Sequence, residues 1–250
     1  MNWLLDLGNS RLKVAAWPRS GKLGPVQAWS HGATDFPGTL QPWLDQLRPG
    51  DTCWLASVAG SEVTAAVAEQ LARHGCPAQR ARTLPEAAGV RIAYAEPSRL
   101  GVDRFLALLG AHARGPGPWL LVSAGSALTV DLLDADGLHR GGVIAPSPEH
   151  MRAALASRFP ALAYAGGEAQ AFATDTADAL AGGSLGAAAG LVERSHREAT
   201  RLLGQAPTVL LGGGGGARLA EALELQVVEA PALVLEGLAV YAAETGAASA

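Results

Sequence analysis

The chain has 250 residues, enough for one large domain or two small ones with a core that needs no disulfide or metal staple. With 49% hydrophobic and 17% charged residues it reads as folded rather than disordered, and a formal charge of −4 excludes a strongly basic nucleic-acid footprint. Its two cysteines, Cys53 and Cys76, form no C-x-x-C and exclude a cysteine zinc site or a disulfide framework; no apolar run is long enough to span a membrane, and a cytoplasmic protein is expected.

In chain order, residues 3–7 are predicted as a strand, 8–10 as a turn and 12–17 as a second strand stopped by Pro18. Residues 26–30 and 52–57 are further strands. Residues 61–74 carry a helical pattern, with Ser61 as cap, Glu62 in the first turn, and Gly75 and Pro77 as the stop. Residues 100–114 repeat that pattern and run into Gly115-Pro116-Gly117-Pro118, the strongest boundary signal in the chain. Two domains are therefore expected, 1–114 and 118–250.

Beyond the boundary the opening pattern returns. Leu4-Leu5-Asp6-Leu7-Gly8-Asn9-Ser10 has its counterpart in Leu121-Val122-Ser123-Ala124-Gly125-Ser126-Ala127, each an apolar strand, a small polar turn and a second apolar run. A third strand is predicted over 139–145. Residues 171–203 are Ala-rich and helical, and Gly182, Gly183, Gly186 and Gly190 within them imply close packing or a break into two helices. A strand over 208–211 then enters five glycines, 212–216, followed by a helix over 217–223 and a last one over 233–245.

The chemistry sits in the turns. Asp6 closes a buried strand before Gly8, Asn9, Ser10 and Lys13, a set able to hold hydrated Mg²⁺ against phosphates, although an ordinary capped hairpin has the same pattern. Ser123 to Ser126 can cradle phosphate or be a plain Ser/Gly turn. The 212–216 run lacks the ending of a P-loop and suits a nucleoside lying on bare backbone or a hinge. Gly101-Val102-Asp103-Arg104 sets a carboxylate and a guanidinium at a helix start. It fits a proton acceptor beside an anion site, or a surface pair complementing the helix dipole.

In this order the four pieces resemble the actin-like and sugar-kinase ATPase superfamily, and within it the type III pantothenate kinases. That family's D-x-G-N-[TS]-x-x-K is matched at Asp6–Lys13 and its G-x-D-R at Gly101–Arg104. Its D-x-G-T-A-x-T-x-D is matched in part from Ser123 to Asp131, its G-G-x-I-x-P-G from Gly141 to Ser147, and its T-x-x-A at Thr176–Ala179. The resemblance implies an α/β protein of two ribonuclease-H-like lobes with ATP in a central cleft, and a homodimer that phosphorylates pantothenate on the way to coenzyme A.

By the same resemblance Asp6, Gly8, Asn9, Ser10 and Lys13 would hold the triphosphate and Mg²⁺, with Ser126 on phosphate from the second lobe. Asp103 would be the general base. Tyr94, Gly101, Val102, Arg104 and Thr176 would line the pantothenate site, and Gly212 and Gly213 would face the nucleoside. Where the family has an aspartate associated with a monovalent cation this chain has Ser123, which leaves activation by K⁺ or NH₄⁺ open. The rival reading is a weak or inactive relative kept as a regulatory or accessory protein.

Overall fold

The opening apolar run becomes β1 (Asn2–Leu7), flanked on both sides by other strands and buried almost throughout. It pairs antiparallel with β2 (Arg11–Trp17), which pairs with β3 (Gln27–Ser30). After α1 (Phe36–Leu44) the chain returns as β4 (Thr52–Ser57), parallel to β1, then α2 (Ser61–Arg73) and the parallel edge strand β5 (Ala78–Arg80). The hairpin β6 (Glu86–Ala87) and β7 (Val90–Arg91), a 3₁₀ turn at Pro97–Arg99 and α3 (Val102–Ala113) complete this stretch. The computed structural model describes residues 1–18, 21–32, 36–162 and 166–247.

The second half repeats the plan with β8 (Trp119–Ala124), β9 (Ala127–Leu133), β10 (His139–Pro146), α4 (Pro148–Arg158), α5 (Thr176–Leu203), β11 (Thr208–Gly212), α6 (Gly216–Ala222) and β12 (Val227–Glu229). Its sheet runs β10-β9-β8-β11-β12, the same order and sense as β3-β2-β1-β4-β5. The duplication legible in the sequence is thus a duplicated five-stranded sheet, and the expected pair of ribonuclease-H-like units is present.

Alternation along β1 sends Trp3, Leu5 and Leu7 into a core with Phe36, Leu40, Trp43, Leu55 and Leu71, the side of the sheet covered by α1 and α2. Cys53 and Cys76 lie in this core as free thiols, and burial pushes the Cys53 thiol up to about 12. In the second unit Leu120, Val122, Val130 and Val209 pack under Leu185, Ala188 and Val192 of α5.

Three expectations change in detail. Ser61 is the first residue of α2 and not its cap; that position is Gly60, whose carbonyl accepts from the Thr64 hydroxyl at 2.9 Å. Residues 176–203 form one unbroken helix, capped by the Asp175 carboxylate and ended by Gly204 in the left-handed region at φ 71°. The division into units falls within the G-P-G-P run, but the segment from Ala232 belongs with Met1–Gly115 and not with the second half.

The physical reason is local to α7 (Leu233–Ala247). A Cβ at Gly110 of α3 would stand 2.5 Å from the Leu233 carbonyl, and one at Gly237 would collide with the Leu106 carbonyl. Two glycines therefore let α3 and α7 approach at backbone distance. A two-pronged ion pair from Arg114 to Glu236, at 2.8 and 2.7 Å, fastens the ends.

Candidate active site

In the first unit Leu4 and Asp6 of β1 lie on the face opposite Leu5 and Leu7. Leu4 stands beside Trp54 of β4, whose ring meets Tyr241 of α7 edge-on at 5.9 Å, and Tyr241 in turn touches Phe105 of α3. Asp6 is the next residue of that row, only 9% exposed, in register with Lys13 on β2 and Ala56 on β4. Burial raises its carboxyl to about 6, the Lys13 ammonium opposes this, and the charge of Asp103 adds to it. Asp6, Lys13 and Asp103 are thus brought together.

The turn after β1 is closed by the Gly8 amide donating to the Arg11 carbonyl at 3.0 Å, leaving Asn9 and Ser10 exposed. A Cβ on Gly8 would meet nothing nearer than the Arg11 carbonyl at 3.6 Å, so no protein neighbour demands glycine there. What a bare backbone offers at this place is close approach by a ligand.

Asp103 lies in the first turn of α3, after the capping residue Gly101 and after Val102. Its Oδ1 accepts from the Arg104 amide at 2.8 Å, which sets the plane of the carboxylate. A Cβ on Gly101 would come within 2.6 Å of that same oxygen. In this rotamer the carboxylate occupies space that a side chain at 101 would share. Arg104 is buried, with its guanidinium 5.9 Å from the centre of the Tyr94 ring and Nη1 donating to the phenol oxygen at 3.3 Å. Tyr94 and Arg104 thus form one cationic, aromatic-backed group. The Thr83 hydroxyl donates to the Leu100 carbonyl at 2.8 Å and steadies the approach to the motif.

In the second unit Ser123 takes the position that Asp6 has in the first, in register with Thr129 on β9 and Gly212 on β11. The Gly125 amide donates to the Ala127 carbonyl at 2.9 Å, with Ser126 at the bend. Gly213 has φ 91°, and a Cβ on it would strike the Ala124 backbone; the Gly215 amide donates to the Ala124 carbonyl at 2.8 Å. The glycine loop and the serine turn are therefore one structure, and glycine at 213 is a steric requirement. Thr176 opens α5, is exposed, and its side chain forms no hydrogen bond among the described residues.

Two polar residues carry structure that the motifs do not announce. His31 reaches the Gly8 carbonyl with Nε2 at 2.8 Å, and His139 bonds Asp131 at 2.9 Å with both side chains buried. Asp131 closes the D-x-G-T-A-x-T-x-D segment and was legible there, whereas a lone histidine after a polar edge strand gives no signal.

A family model described as type III pantothenate kinase matches residues 3–198 of the chain. Type III pantothenate kinase of Stenotrophomonas maltophilia (strain K279a) is 51% identical over 242 residues, covering 96% of this chain and 97% of that protein. Its counterpart in Xanthomonas campestris pv. campestris (strain B100) is 48% identical over 246 residues, 98% of each. Among solved structures, the activator of 2-hydroxyisocaproyl-CoA dehydratase from Clostridium difficile with bound ADPNP overlays with a TM-score of 0.53 at 10% identity, covering 99% of this chain and 96% of that one, a likeness of fold.

Proposed function

The chain belongs to the type III pantothenate kinase family, and we propose that Asp103 is the group in it that takes the proton of the acceptor alcohol. The reaction transfers the γ-phosphoryl group of ATP to the primary hydroxyl of pantothenate, giving 4'-phosphopantothenate and ADP, the first step of coenzyme A biosynthesis. The observation that carries the role of Asp103 is the packing at Gly101, where a Cβ would stand 2.6 Å from the carboxylate oxygen.

Phosphoryl transfer asks little covalent chemistry of a protein, so positioning and charge neutralisation dominate. Asp103 accepts the hydroxyl proton as the alcohol oxygen bonds to the γ-phosphorus, and the bond to the ADP oxygen breaks. Arg104, buried against Tyr94, is assigned to the carboxylate of pantothenate, since a guanidinium binds carboxylate in a fixed fork. Gly101 and Val102 are assigned to the same substrate's wall, and Thr176 to substrate contact. Lys13 and the Gly8, Asn9 and Ser10 turn are assigned to the triphosphate, Ser126 to phosphate, and Gly212 and Gly213 to the nucleoside.

ATP is used together with a divalent metal, which we take to be Mg²⁺ held through Asp6. The fit rests on that carboxyl, which burial and Asp103 hold at about 6 and which a cation would relieve. Among the described residues no group of three His, Cys, Asp or Glu could cage a metal, which matches an ion that keeps waters and substrate phosphates as its other partners. Bound there, Mg²⁺ would neutralise charge on the transferring phosphates. At Ser123 the fit to K⁺ or NH₄⁺ is poor. Its hydroxyl is neutral and exposed, and its ladder neighbours Thr129 and Gly212 carry no charge. We propose turnover that depends little on a monovalent cation.

Family membership further supports a cytoplasmic homodimer without nucleic-acid or membrane partners. No helix among the described residues is long and apolar enough to cross a membrane. Pantothenate-dependent ADP release, run against a panel of alcohols with and without a carboxylate, tests the whole reading. Equal release with uncharged alcohols, or none with pantothenate, contradicts it. Sedimentation of the purified protein tests the dimer.

A further inference from the structure

We infer that His31 is a positioning residue for the nucleotide's phosphates, one that braces the Gly8–Ser10 turn from behind. The inference rests on the assignment of that turn to the triphosphate. His31 follows β3 directly, where Ser30 is paired with Arg11. Its Nε2 lies 2.8 Å from the Gly8 carbonyl, and since a carbonyl only accepts, this nitrogen carries hydrogen and donates. Its main-chain amide donates to the Ser10 carbonyl at 3.2 Å. The ring is kept in place by an edge contact with Phe36, centroids 5.8 Å apart and planes at 67°, and Phe36 is itself buried.

Two carbonyls of the bend, those of Gly8 and Ser10, are therefore tied to one residue. A trans peptide points its C=O and N–H in opposite directions, so anchoring the Gly8 carbonyl turns the Asn9 amide N–H away from His31. That is the donor a phosphate oxygen would meet. The brace answers a specific weakness: Gly8 has no protein neighbour that needs it to be glycine, and a glycine gains ligand access at the expense of backbone order. One residue on the adjacent strand end restores the order without entering the site.

Steady-state kinetics on the full-length protein decide the matter. For His31→Ala the KM for ATP is expected to rise about threefold to tenfold, the effect of one lost hydrogen bond, with kcat and the KM for pantothenate within about twofold of the parent. For His31→Gln, whose amide N–H can reach the same carbonyl, the KM for ATP is expected within about twofold of the parent. An unchanged KM for ATP in His31→Ala overturns the inference, as does an equal rise in both KM values. If the alanine variant does not fold, His31→Gln alone decides: a near-parent value supports the brace and a tenfold loss removes it. A parent protein without pantothenate-dependent ADP release refutes the functional reading instead. Calorimetric titration of ATP into parent and His31→Gln then still tests the brace, with equal affinity supporting it and a tenfold weaker variant overturning it.

Discussion

The two hairpins that open the two sheets share a frame and differ in charge. In the first, Asp6 stands between Lys13 and Ala56; in the second, Ser123 stands between Thr129 and Gly212 at the same places in the ladder. The first bend has four residues between its last ladder pair, Leu7 with Leu12, and is braced by His31. The second has three, between Ala124 and Leu128, and is braced by the backbone of the glycine loop. A duplicated backbone has thus been specialised. One hairpin carries a buried carboxylate opposite a lysine, and the other offers neutral hydroxyls and bare main chain.

The sharpest way to break this division is to neutralise the charged copy. Asp103→Asn is expected to lower kcat by roughly 10²–10⁴ while Tm moves little, read as pantothenate-dependent ADP release and a thermal melt. Activity within a few-fold of the parent would place the base elsewhere. Gly101→Ala is next. Its methyl would press on the Asp103 oxygen at 2.6 Å, and a displaced carboxylate is expected to reduce kcat by about 10–100-fold with both KM values nearly kept. A silent Gly101→Ala would mean that the carboxylate's place does not matter.

Asp6 offers a test through stability. In the metal-free, nucleotide-free protein its carboxyl keeps its proton up to about pH 6, against 3.8 when unfolded. The native state binds more protons across that window, so this group's contribution is full below 3.8 and is lost as pH rises through 6. Asp6→Asn is therefore expected to be more stable than the parent at pH 7 by roughly 1–3 kcal/mol and equal to it near pH 3.5, while losing activity. Denaturant melts at the two pH values check this; a variant less stable at pH 7 contradicts the environment assigned to Asp6. The smallest effect sharpens the contrast from the other side. In the parent, replacing K⁺ by a large organic cation should change the rate by less than about twofold. Ser123→Asp, which gives the second hairpin the charge of the first, should make K⁺ stimulate several-fold.

Much of this was legible because the signals are local. The apolar run ending at Asp6 and its echo ending at Ser123 identify central strands, and the shared turn pattern identifies the duplication. G-V-D-R marked a helix start, and the structure places Gly101 at its cap with Asp103 in the first turn. Other elements escaped for physical reasons. Helix α1 holds Pro42 inside it, so its sequence argues against the helix that packing on Trp3 and Leu5 imposes. Helix α4 does carry a local signal, Ser147 capping the His150 amide with Pro148 in the first turn, but it lies inside a stretch whose motif draws the eye to chemistry. His31 and the partnership of Gly110 with Gly237 depend on contacts between residues far apart in sequence, which no periodicity encodes.

That last helix has a consequence for how the protein is made. Because α7 completes the sheet-covering layer begun by α3, the ribosome delivers all of Pro116–Pro231 before the first unit has its full set of parts. The earlier unit in sequence is thus the later one to be finished, and residues 1–115 released alone would present Gly110, Leu106 and Trp54 to solvent with nothing to cover them.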